Sequence, residues 1–339
     1  MGKISSAFTA GLLVGILVAT VGFSLFMKYQ RNSGGQVVGQ RVLRLAHNLP
    51  TDHPVHLAME SMKERLEELS SGSLSLEINS GGVEGSETEC LEALQDGTLD
   101  LTKTSAAAIE NFIPSMAVFS LPYVFRDRTH FWSVLEGEIG QDLLEQAREG
   151  NLKGLCYYDA GSRNFYTKDT PIRTPDDLKG LKIRVMSSET AIKMIKAMGG
   201  SPTAIPFNDL YSSLETGVVD GAENNPPSFT SHKHFEVAKH FTLDGHSRIP
   251  DMLLISSIIW DELSPQQQGW VQQAALESSQ LQRELWEKES VACLERAKEN
   301  DVTVYEVDTA LFAAKVQPML EQIEDEEVKT LLNQIRKVK

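Results

Sequence analysis

Apolar positions along this chain fall into two rhythms, one repeating every second residue and one every three or four, and the two alternate from the amino end onward. Before either begins, the run from Ile4 to Met27 carries no charge, with Lys3 ahead of it and Lys28 and Arg31 behind. That is enough to cross a bilayer, for which roughly 20 apolar residues suffice, and longer than the about 7–15 residues at the centre of a cleavable signal. No small-residue pair closes the run, so an uncleaved anchor is preferred over a removed signal peptide; either implies export. Residues 1–40 are therefore read as a signal or membrane anchor with a flexible tether from Asn32 to Gln40.

The strand rhythm appears first over Val42 to Ala46, and helical spacing follows at Val55, Met59, Met62, Leu66 and Leu69. Leu74 to Ile78 alternates again, Gly81, Gly82 and Gly85 break the chain, and a helix over Glu87 to Gln95 ends before Gly97. A strand is expected from Leu99 to Lys103. The same order returns later, with a strand over Leu181 to Met186, a helix ending over Asp209 to Glu215, Gly217, and a strand over Val218 to Ala222. The two helix-to-strand corners, LQDGTLD at 94–100 and LETGVVD at 214–220, share the form L-x-x-G-x-x-D about 120 residues apart. Repetition of the unit predicts two α/β lobes of similar build, whose ligands sit outside the carboxyl ends of the strands, at the seam. Ser264-Pro265 then supplies an N-cap and first-turn proline, and apart from Gly269 nothing interrupts a helix before Asn300. At 1.5 Å per residue such a helix is about 50 Å long, so it spans both lobes or projects into solvent.

Composition narrows the function classes. The 339 residues hold 32 Lys plus Arg against 47 Asp plus Glu, a net charge of −15, which argues against nucleic-acid binding and against attachment of the folded part to an anionic membrane. The three cysteines, Cys90, Cys156 and Cys293, have neither disulfide-framework nor zinc spacing and are read as buried thiols. The eight histidines are dispersed; His232 and His234 are near in sequence but lack ligand spacing, so loop histidines are expected there and no metal site. No HExxH, GxxxxGK[ST], G-x-S-x-G or dinucleotide-binding glycine motif is present, and the glycines at 81–85 read as a turn because Glu84 and Glu87 would repel a phosphate. Neither enzyme chemistry nor a cofactor is implied.

Candidate binding residues come from context. Leu181, Ile183 and Val185 form one strand face, which turns Arg184 to the other, where a guanidinium is costly unless it pairs internally or lines a cleft. Arg163 follows an expected strand over Leu155 to Tyr158, at its carboxyl edge. Two guanidiniums there could grip a carboxylate, whose oxygens match the planar fork. Asn224-Asn225-Pro226-Pro227 ends the second repeat's strand and is either a turn or a pair of amides suited to hydroxyl groups. Its counterpart in the first repeat is Lys103-Thr104-Ser105, also polar.

Four segments together identify a family: SLPYVF at 120–125, GSRNFYTK at 161–168, TPDDLKGLKIRVM at 174–186 and MGGSPTAIPFNDLYSSLETGVVDGAENNPPS at 198–228. They resemble the extracytoplasmic solute receptors of tripartite ATP-independent periplasmic (TRAP) transporters, over about Leu43 to Asn300. The resemblance implies an α/β, two-lobed, periplasmic-binding-protein-like (Venus flytrap) fold with a long helix spanning both lobes. It places lobe I at 41–160 plus about 250–289 and lobe II at 161–249 plus about 290–339. It also implies that Arg184 and Arg163 hold a ligand carboxylate, with Asn224, Phe207, Asn48, Ser187, Glu87 and Asn225 around the ligand and His47 adjacent. The ENNPPS form is similar to receptors that favour sugar acids, so the expected ligand is a hexuronate, glucuronate or galacturonate. A C4-dicarboxylate or another sugar acid is the alternative cargo. The expected partners are the organic acid and the TRAP membrane permease subunits, in the periplasm, with the N-terminal segment as a membrane contact. A membrane-tethered ligand sensor is the alternative role, and a sugar-acid lyase or hydrolase would require a paired acid and base in the cleft.

Overall fold

The computed structural model describes residues 40–339; the N-terminal apolar run and nearly all of the tether lie outside the described residues. Two mixed sheets organise the chain. The first has the order β2-β1-β3-β10-β4, built from Leu74–Asn79 (β2), Arg41–Ala46 (β1), Leu101–Ser105 (β3), Asp251–Ser256 (β10) and Leu152–Tyr158 (β4). The second has the order β11-β9-β5-β8-β6-β7, from Thr303–Glu306 (β11), His240–Ser247 (β9), Arg163–Thr167 (β5), Gly221–Asn224 (β8), Lys182–Val185 (β6) and Ser201–Ala204 (β7). β1 lies parallel to β3, as β6 lies parallel to β8, while β10 runs antiparallel to both of its neighbours.

Each sheet is covered on both faces, as parallel strands require. In β10, Met252 and Leu254 enter one cluster with Leu91, Phe119 and Leu135, whereas Leu253 and Ile255 enter another with Leu43, Met59 and Val271. In the second sheet, Phe165 faces Ile183 and Val185, and its neighbour Tyr166 faces Phe229 and Phe241. This is the two-lobed α/β architecture expected from the repeat.

The repeated corner has a specific structural role. Gly97 and Gly217 adopt left-handed φ values of +72° and +74°, as an L-x-x-G turn after a helix demands. Three residues on, the Asp100 carboxylate accepts the Arg44 backbone N–H at 2.7 Å and the Asp220 carboxylate accepts that of Lys182 at 2.8 Å. Each aspartate thus serves the neighbouring parallel strand before its ladder begins. That spacer delays the following strand, so β3 begins at Leu101 and β8 at Gly221, two to three residues later than the apolar pattern predicts.

The chain passes between the lobes at residues 159–162, at 248–250 and along the helix Pro265–Glu299. That helix begins at Ser264, whose side chain caps the Gln267 N–H in a capping box, as the sequence predicts. Val271 and Ala274 pack in the first lobe and Ala297 in the second, so the helix does span both. Fully buried Asp159 lies in the first crossing and accepts the Gly161 N–H, Arg128 Nε–H and Trp132 Nε1–H. Arg163 is not at the end of a first-lobe strand, as its position suggested; it opens β5 of the second sheet, because the crossing intervenes. The C-terminal helix Glu326–Ile335 also departs from expectation. Its Val328, Leu332 and Ile335 bury against Leu135 and Leu143, so its apolar face completes the first lobe's core rather than the second's.

Candidate functional site

A cleft open to solvent lies between the lobes and is lined from both of them. The described surfaces touch across it: the Gly82 turn lies against Asn208, and a His232 ring nitrogen is 3.3 Å from the Asn48 carbonyl. Of the residues expected at the site, Arg163, Arg184, Asn224, Asn225, Ser187, Phe207, Glu87 and Asn48 all line it. His47 does not. One of its ring nitrogens lies 3.0 Å from His56 and the other accepts the Leu49 N–H, so the ring is consumed behind the wall.

The two arginines differ sharply. Arg184 projects from the face of β6 opposite Ile183 and Val185 and is 1% exposed. Its Nε donates to the Ile205 carbonyl at 2.8 Å, and its guanidinium sits 5.6 Å from the centroid of the Phe207 ring. Nη1 is buried without a partner. No carboxylate pairs with this cation among the described residues, so burial lowers its pKa from 12.5 to about 10, which still leaves it charged at neutral pH. Internal pairing, one of the two readings open for a mid-strand arginine, does not occur.

Arg163 is instead paired internally, which corrects the expectation of two free guanidiniums. Its Nε and Nη2 donate to the Glu223 carboxylate, Nη2 also to the Glu223 carbonyl, and Nη1 to Asn224 Oδ1 at 2.9 Å. Four of its five N–H donors are thereby directed inward and one remains. The pairing follows from register: β5 runs antiparallel to β8, with Asn164 opposite Asn224, so Arg163 lies across from the Glu223–Asn224 end. Glu223 also contacts His246, whose other ring nitrogen bonds Asp244 at 2.8 Å. Burial opposes both charges, but Arg163 and His246 bring Glu223 down to about 2, and Asp244 and Glu223 lift His246 to about 9.

Local structure also fixes the amides. Asn224 Oδ1 accepts from Arg163 and from the Asn225 N–H, while Asn225 Oδ1 caps the helix Pro226–Ser231 through the Ser228 N–H at 2.8 Å. Both side chains thus present their NH₂ groups as donors, rather than serving as donors and acceptors alike. Asn48 is the opposite case, with a buried Oδ1 that lacks a donor.

Several lining residues escaped the sequence reading. Lys103, noted only as a polar strand end, is 4% exposed and donates to Asp251 at 3.0 Å and to Glu87 at 3.3 Å. Asp251 opens the strand DMLLIS ahead of four apolar residues, and a charge entering a buried strand was the available signal. His53 and Trp286 stack edge to face at 5.6 Å; nothing in the long helix's pattern marks position 286 as facing a cleft. Away from the cleft lining, His234, expected in a solvated loop, is buried and bonds the Tyr166 hydroxyl at 2.9 Å, with burial and the neighbouring His232 holding it well below its ordinary pKa.

The chain is similar to known proteins over most of its length. The family described as bacterial extracellular solute-binding protein, family 7, matches residues 45–327. A solute-binding protein of Chromohalobacter salexigens is 33% identical over 290 residues, covering 85% of this chain and 86% of its own. The TRAP periplasmic solute-binding protein of Xanthobacter autotrophicus Py2, solved with bound β-D-galacturonate, is 36% identical with a TM-score of 0.85, over 88% of this chain and 100% of that one. The Pseudomonas putida F1 protein, solved with D-glucuronate, is likewise 36% identical with a TM-score of 0.85, over 88% and 98%.

Proposed function

Because the chain belongs to the bacterial extracellular solute-binding proteins of family 7, we propose that its cleft captures a sugar acid, a hexuronate such as galacturonate or glucuronate, and delivers it unaltered to a TRAP membrane permease. The observation that carries this reading is the buried Arg184 guanidinium, charged, facing the cleft and without a carboxylate of the protein's own. A ligand carboxylate supplies the missing partner. The remaining N–H of Arg163 and the Asn224 amide complete its recognition, and Phe207 gives an apolar floor.

Each charge-assisted hydrogen bond contributes about 1.5–3 kcal/mol, and micromolar affinity needs about 8 kcal/mol. The hydroxyl contacts and exclusion of water therefore carry a comparable share. Arg184, Asn224 and Phe207 belong to the second lobe and Asn48 and Glu87 to the first, so a ligand touching both walls binds the closed arrangement more tightly than the open one. That difference in affinity drives closure. Members of the family are periplasmic, and the N-terminal apolar run serves as the export signal or anchor in this reading.

A thermal-shift panel of uronates, aldonates and C4-dicarboxylates, followed by titration calorimetry on the responders, tests the proposal. D-Galacturonate or D-glucuronate should raise the melting temperature and bind at micromolar or lower Kd, and both should be recovered unchanged after long incubation. No response to any sugar acid, or turnover of one, would refute it.

A further inference from the structure

The first-lobe wall of the cleft carries three charged side chains from three separate elements: Glu87 at the start of the helix Glu87–Gln95, Lys103 in β3 and Asp251 at the start of β10. Lys103 Nζ lies 3.0 Å from Asp251 Oδ2 and 3.3 Å from Glu87 Oε1, and Glu87 Oε1 also accepts the Ser105 N–H at 3.2 Å. One ammonium against two carboxylates leaves a formal charge of −1 on this wall. Burial disfavours the ammonium, but Asp251 and Glu87 outweigh that and hold its pKa above the ordinary lysine value, so its charge is committed to them. Glu87 Oε2, Asp251 Oδ1 and Asn48 Oδ1 are left without a protein donor among the described residues. The opposite wall offers the reverse: Arg184 Nη1, one Arg163 N–H and the NH₂ groups of Asn224 and Asn225, all donors.

From this polarity we infer that Glu87, Lys103 and Asp251 form a charge filter that admits ligands with one carboxylate and rejects those with two. The inference rests on the sugar-acid reading of the cleft and specifies its selectivity. A hydroxyl group both donates and accepts, so vicinal hydroxyls satisfy Glu87 Oε2 and Asp251 Oδ1 while receiving the spare Lys103 hydrogen. A carboxylate only accepts. At the same place it would meet two like charges, with a lysine already engaged. The ligand is thereby oriented, acid end towards Arg184 and hydroxyl end towards the first lobe, and a hexaric acid cannot satisfy both walls. For like charges about 5 Å apart at the effective dielectric of a protein cleft, the penalty corresponds to discrimination of about 100-fold.

The test is titration calorimetry of the full chain with D-galacturonate and with galactarate, which bears a carboxylate at both ends and cannot close the pyranose ring, repeated for Glu87→Gln and Asp251→Asn. D-Galactonate is the open-chain control with one carboxylate, and it should bind much more tightly than galactarate if charge and not ring shape decides. Thermal melts confirm that each variant is folded. The wild type should prefer the hexuronate by about 100-fold, and at least one substitution should narrow the ratio ten-fold or more, even where it weakens the hexuronate itself. A wild-type preference below ten-fold, or a ratio unchanged within two-fold in both variants, would overturn the filter. Failure of the wild type to bind either ligand would instead strike the receptor reading beneath it.

Discussion

Replacing Arg184 by methionine should move stability and binding in opposite directions. The side chain is 1% exposed, its Nη1 has no partner, and its pKa falls from 12.5 to about 10 because burial outweighs the distant negative charges. Both states of the protein are protonated there at pH 7, so the lowering translates into about 3 kcal/mol by which folding works against this charge. Methionine fills similar space without a charge. Set against the relief are the hydrogen bond to the Ile205 carbonyl and the contact with Phe207, each worth about 1 kcal/mol. The variant should therefore be more stable than the wild type by about 1 kcal/mol in urea titrations of the ligand-free protein. In calorimetry it should lose at least about 100-fold in affinity for a hexuronate, since two charge-assisted hydrogen bonds disappear. A variant destabilised by more than about 1 kcal/mol, with hexuronate affinity within ten-fold of the wild type, would refute the claim that Arg184 is held unpaired for a ligand.

Two further expectations concern closure and pH. A Cβ on Gly82 would come within 2.1 Å of Asn208 across the mouth, whereas one on Gly81 meets nothing within 4 Å, and both glycines have positive φ, +75° and +70°. Gly82→Ala and Gly81→Ala should each cost about 1–2 kcal/mol of stability from backbone strain, and because the atoms a Gly82 methyl meets are the far end of the exposed Asn208 side chain, which can turn away, hexuronate affinity should stay within about three-fold in both; a ten-fold loss confined to Gly82→Ala in calorimetry would show that the mouth closes on a rigid contact there. His246, raised from 6.5 to about 9, contributes stability that is fully present below pH 6.5 and lost as pH rises through 9, about 3 kcal/mol in all. His47, lowered to about 3 by burial, Lys103 and His56, acts in the other direction, and His53 and His234 share its sign: their contribution is present above pH 6.5 and is lost as pH falls. Urea midpoints should accordingly peak near pH 6.5, and His246→Asn should flatten the alkaline limb; an alkaline limb already flat in the wild type would contradict the assignment.

Much of the architecture was legible because it is written in local chemistry. Ser264-Pro265 marks the start of the spanning helix, and the L-x-x-G-x-x-D corners mark both lobes, through a left-handed glycine and an aspartate bonded to the next strand. Alternation in β6 was enough to turn Arg184 away from the core. Pairing across sequence distance was not legible. Arg163 and Glu223 are 60 positions apart and meet only through the β5–β8 register, and Lys103 and Asp251 are 148 apart on antiparallel neighbours. Which arginine is neutralised and which is left without a carboxylate depends on those registers. The placement of the C-terminal helix was hidden for a related reason: its apolar stripe fits any helical face, and only tertiary packing selects the first lobe.

The three cysteines give the molecule a built-in way of reporting its own breathing. All are free and buried, Cys90 and Cys156 in the two cores flanking the first sheet and Cys293 within the spanning helix. Burial drives each thiol away from its nucleophilic form, Cys90 to about 11, Cys293 to about 12 and Cys156 further still. An alkylating reagent gains access only when the surrounding shell parts, so labelling rates at the three sulfurs time the opening of three separate regions, with no foreign probe introduced.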